Sequence, residues 1–63
     1  MEGNAELTAL ILHAEMEMSN ASETYMRGSA GETAEHLREV VWTVGKALTI
    51  VRLIQGAEYG SKS

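Results

Sequence analysis

Sixty-three residues with no Cys, no Pro and no Phe, 44% of them hydrophobic and 22% charged, carry a formal net charge of -4. So short a chain buries only about 60% of its unfolded surface, and its core rarely yields more than ~3–5 kcal/mol unaided. Disulfides are excluded, a structural zinc site has only His13 and His36 as nitrogen ligands, and the chain is too apolar for a disordered tail.

The first predicted element is a helix over about residues 4–27. Every acidic residue is Glu, and with Ala, Leu, Met and Arg this gives strong helix preference through most of the chain. Asn4 is a good N-cap and Glu6 complements the helix dipole in the first turn. Leu7, Ile11, Ala14, Met18, Ala21 and Tyr25 recur at alternating spacings of four and three, a heptad seam expected to face a second helix. The weak helix formers Ser19 to Ser22 do not interrupt that seam, so one continuous helix is expected.

Arg27 to Glu32 supply the punctuation. Gly28 suits the left-handed position that closes a helix, and Ser29 with Glu32 reads as a capping box opening the next one. A turn this short makes the two helices antiparallel neighbours.

The second helix is expected over about residues 30–55, with Leu37, Val40, Val41, Val44, Leu48, Val51 and Ile54 on its inner stripe. Residues 56–63, containing Gly56 and Gly60, are expected to fray. The fold class is therefore all-α, a single helical-hairpin domain over residues 1–63.

Charge is unevenly divided. Residues 1–26 hold five Glu and no cation, while residues 27–63 hold five cations against four Glu. Folding the hairpin about residues 29 and 30 sets Arg38 level with Glu23, Lys46 near His13 and Glu15, and Arg52 close to Glu6. Three intrachain ion pairs are expected from that register.

Both helices carry a second apolar stripe. Leu12 and Met16, with Ala5 and Ala9, lie opposite the first seam, and Trp42, Ile50 and Leu53 lie opposite the second. Surplus apolar surface of this kind points to association. The expected assembly is a homodimeric four-helix bundle or a higher helical oligomer, with Leu12, Met16, Trp42, Ile50 and Leu53 at the oligomer or partner interface.

Little in the sequence supports chemistry. There is no Cys, no Asp to orient a histidine, and no glycine-rich loop after a strand, so no enzymatic activity and no cofactor are expected. His13 with Glu17, and Glu32 with His36, stand four residues apart. In the register above, however, His13 faces residue 46, about ten residues from His36, and no metal site is expected. Met16 and Met18 diverge by about 200° on a helix, which removes a copper-type pair.

Arg38, Gly45 and Arg52 fall on one stripe of the second helix. Gly45 is read as a close helix crossing, or else as room for a pocket in which Tyr25 or Trp42 stacks on a planar group and an arginine receives an anion. The opening residues have no basic signal-type region, and the longest unbroken apolar run, Ala9–Leu12, is far shorter than the ~18–20 residues of a membrane span. The acidic balance argues against nucleic acid. The expectation is a cytoplasmic, non-enzymatic protein without membrane association. It would self-associate and bind another macromolecule, a protein, as an inhibitor, regulator or phage-type host-modulating factor does. The alternative is an oligomer that sequesters a small anionic or nucleotide-like ligand between protomers.

Overall fold

A computed structural model describes residues 4–60, with side chains through Glu58. Two helices, α1 (Ala5–Met26) and α2 (Ala30–Gly60), pack against each other as a hairpin measuring 53 × 16 × 13 Å. The Cα radius of gyration is 15.2 Å, against about 11 Å for a compact domain of this length. The molecule is a rod one layer thick.

The ends of α1 form where the local chemistry directs them. Asn4 is extended, and its side-chain Oδ1 accepts the Leu7 backbone N–H at 2.9 Å. This satisfies one of the donors that a helix N-terminus leaves free. At the other end the Gly28 N–H reaches the Tyr25 carbonyl at 3.0 Å, and the Ser29 N–H reaches the Thr24 carbonyl at 2.9 Å. Those two bonds make a Schellman closure, with Gly28 at φ +80° where a Cβ would be strained.

Ser29 then opens α2 as expected, but through its carbonyl, which accepts the Thr33 backbone N–H at 3.0 Å and the Thr33 hydroxyl at 2.7 Å. The capping-box exchange is replaced by an exposed Arg27–Glu32 ion pair at 3.7 Å. Helix α1 passes through Ser19 to Ser22 unbroken.

Helix α2 is longer than the sequence predicts. It continues through Gly56 to Gly60, so the expected fraying does not begin at residue 56; residues 61–63 of that tail lie outside the described residues. One glycine costs roughly 1 kcal/mol relative to Ala, and Gln55, Ala57 and Glu58 around it favour helix. Helix α2 is also long and apolar enough, by length and composition, to cross a membrane between Ala30 and Glu58. Unbroken apolar runs alone do not reveal this, because Thr, Gly and Ala dilute the pattern without adding charge.

The helices do not meet along the stripes that apolarity alone selects. On α1 the covered positions include Leu7, Leu10, Ala14, Glu17, Ala21 and Thr24; on α2 they include Thr33, His36, Val40, Thr43, Ala47 and Ile50, and Val51 and Ile54 of the expected stripe are half-buried as well. Ile11, Met18, Val44 and Leu48, all expected inside, are 45–49% exposed, and Leu37, Val41 and Tyr25 are exposed as well. Ile50, assigned above to the outer stripe, is half-buried in the seam. Each helix is thus turned by part of a residue step from its apolar stripe. Small residues let the backbones approach there, and polar residues in the seam find partners across it.

Candidate functional site

The seam contains most of the polar contacts. Near the turn, Thr24 and Thr33 place their hydroxyls 2.8 Å apart, each also within reach of a backbone carbonyl of its own helix. With one hydrogen per hydroxyl, one threonine donates across the hairpin and the other keeps its carbonyl. Further along, His36 Nδ1 lies 2.9 Å from Glu17 Oε2, and Asn20 Nδ2 donates to Glu17 Oε1 at 3.3 Å. A carboxylate only accepts, so His36 carries its proton on Nδ1. The His36 hydrogen bond is the main reason that the Glu17 carboxyl sits below the usual carboxylate range. Burial opposes the shift, and the Asn20 hydrogen bond and the charges of His36 and His13 assist it. His13 Nε2 approaches Glu39 Oε1 at 3.3 Å.

These pairs correct the expected register. The turn sets Thr24 against Thr33, one residue short of the expected centre, and the pairing slips further along the rod until His13 meets Glu39 rather than residue 46. The expected Arg38–Glu23, Lys46–Glu15 and Arg52–Glu6 pairs do not form; among the described residues the three ion pairs are His13–Glu39, Arg27–Glu32 and Glu17–His36. Lys46 instead lies over the Trp42 ring, 4.3 Å from its centroid. The new register brings His13 and His36 nearer than ten residues, yet no group of three or more metal-ligating side chains assembles among the described residues.

Thr43 sits mid-seam, fully buried, and its hydroxyl has no hydrogen-bond partner. Such an orphaned group costs on the order of 1–3 kcal/mol. Within the hairpin nothing explains its retention.

Beside the seam, on one side of the hairpin, the displaced apolar stripes converge. Ile11 and Met18 from α1 and Val44, Leu48 and Val51 from α2 wall an open groove of about 550 Å³, floored by Leu7, Leu10, Ala14, Val40 and Ala47 and bordered by the charged Glu15. The other side bears the His13–Glu39 pair, with Lys46 and Trp42 beyond it. Sequence periodicity finds the groove residues but assigns them to the hairpin's own core.

The remaining expected site residues divide in two. Leu12, Met16, Trp42 and Leu53 are exposed, as the second-stripe reading requires. Within the single chain Tyr25, Arg38, Gly45 and Arg52 do not share one cavity: Arg38 and Trp42 share a shallow patch with Ala34, Leu37 and Val41, whereas Tyr25 sits in the last turn of α1. Arg52 lies about 21 Å along α2 from Arg38. Gly45 is not a helix crossing within the chain, since a Cβ there meets nothing within 4 Å.

No family model, curated protein or solved structure matches the chain.

Proposed function

We propose that this is a self-associating, non-enzymatic helical protein of the regulator or inhibitor kind. Two hairpins close their grooves on each other as a homodimeric four-helix bundle, and the bundle acts by binding another macromolecule through its outer faces. The groove carries the proposal. Its five wall residues are apolar, contiguous and on one side of a rod too thin to cover them.

The area argument points the same way. The chain exposes 4853 Å², whereas a folded monomer of 6.8 kDa exposes about 4,000 Å². The excess, roughly 900 Å², is close to the ~800 Å² that each partner contributes to a standard interface. A self-complementary groove closes with two-fold symmetry and leaves no apolar remainder on that side.

A soluble bundle in the cytoplasm is favoured over a membrane span. Lys46 and Arg52 lie within the apolar length of α2, each costing about 2.5–3.5 kcal/mol at a bilayer centre. Helix α2 is also tied to the acidic α1 through Glu17 and Glu39.

Sedimentation equilibrium tests the proposal. At high salt, wild type should have twice the chain mass, and Leu48→Glu together with Val44→Glu should have the chain mass. A monomeric wild type, or a dimer indifferent to both substitutions, would refute the groove interface.

A further inference from the structure

The outer faces of the two helices carry opposite charge, and neither is used within the chain. On α1 the side away from α2 bears Leu12, Met16 and Glu23, with Glu15 at its edge, where it also borders the groove; all four are exposed. On α2 the side away from α1 bears Arg38, Val41, Trp42, Gly45, Thr49 and Arg52, also exposed. Glu15, Glu23, Arg38 and Arg52 take part in none of the hairpin's ion pairs. From Val40 to Ala57 helix α2 has two cations and no acid.

We infer that the outer face of α2 in one copy docks on the outer face of α1 in the next copy. This names the macromolecule that those faces bind; it rests on their being docking surfaces and is separate from the groove. Charge complementarity selects the occupant. An anionic lipid surface would meet the same cations but would leave Glu15 and Glu23 of α1 without an opposite charge, which a second copy supplies.

The spacing fits an antiparallel contact. Glu15 and Glu23 are eight residues apart, as are Arg38 and Lys46, about 12 Å at 1.5 Å per residue. With Glu23 level with Arg38 and Glu15 level with Lys46, Met16 falls level with Gly45 and Leu12 with Thr49. The two large apolar side chains of one copy thus oppose the smallest surface of the other, where Gly45 has open space. Exposed ion pairs are weak and screened by salt, so they set orientation while the apolar contacts hold.

The two faces differ and point in opposite directions, so the contact is heterologous and each added copy leaves one face of each kind free. It propagates into a ring or a filament. The groove, by contrast, closes on itself.

Light scattering across a broad concentration range, at low and at high salt, is the test. Wild type should form species larger than the groove dimer that grow with concentration and are lost at high salt. Arg38→Glu with Lys46→Glu, and separately Glu15→Lys with Glu23→Lys, should each lose them, and mixing the two variants should restore them. Gly45→Leu, which meets no atom of its own chain, should keep its helicity and lose them too. Large species that vanish in the charge variants while Leu48→Glu removes only the dimer would support this contact independently of the groove. Wild type held at dimer mass at every concentration, charge variants that assemble as wild type does, or binding to phosphatidylserine vesicles in place of self-assembly would overturn the inference.

Discussion

The seam and the groove lie side by side along the same two helices and differ in material. The seam mixes Leu7, Leu10, Val40 and Ile50 with Ala14, Ala21, Ala47, three threonines and a Glu17–His36 pair; the groove walls are Ile11, Met18, Val44, Leu48 and Val51, with Glu15 bordering them. Small residues permit close helix approach and polar partners fix a register, but together they bury little apolar area. The larger hydrophobic gain therefore lies outside the single hairpin. A polar seam gives the hairpin its pairing, and an apolar groove gives it a reason to pair again.

The largest expected effect breaks the groove. Leu48→Glu buries an unpaired charge if the dimer forms, costing several kcal/mol, and should monomerise the protein with a fall in helicity measured by circular dichroism. Next comes the seam: Ala21→Leu adds three carbons where the side chain is 4% exposed and should cost about 1–3 kcal/mol in urea unfolding. Leucine at the neighbouring, exposed Ser22 should be close to neutral.

A gain is expected at Thr43. Thr43→Val removes the orphaned hydroxyl at nearly constant shape and should stabilise by about 1 kcal/mol, roughly 4–8 °C in Tm for a domain of this size.

The smallest effect is in pH. Glu17 is held below its ordinary value in the folded chain. Its contribution is therefore complete above the ordinary carboxylate pKa and is lost as pH falls through its lower folded value. Glu17→Gln should flatten that acid limb of a stability-against-pH curve.

Much of this architecture is legible in sequence because it is local. Asn4, Gly28 and Ser29 mark helix ends through hydrogen bonds to residues three to five positions away, and no tertiary knowledge is needed to read them. The rotation of the seam is not legible in the same way. Periodicity weighs apolarity, and by that measure Ile11 and Met18 outrank Leu10 and Glu17, although the latter face α2. A signal was present in Thr33, His36, Val40, Thr43, Ala47 and Ile50, which recur at alternating spacings of three and four with polar members, a pattern a search for hydrophobes passes over. The register is not legible because it depends on where the turn is centred and on how the helices slip beyond it. A shift of one residue in the centre moves every facing position by two, and further slippage along the rod carries the partner of His13 from residue 46 to Glu39.

The most direct test of the central claim is an isotope-filtered NOE measurement on a mixture of labelled and unlabelled chains. It should show interchain contacts among the methyl groups of Ile11, Met18, Val44, Leu48 and Val51, and only intrachain contact between Thr24 and Thr33. Interchain contacts between Thr24 and Thr33, or an absence of any between groove methyl groups, would contradict a polar seam within the chain and an apolar groove between chains.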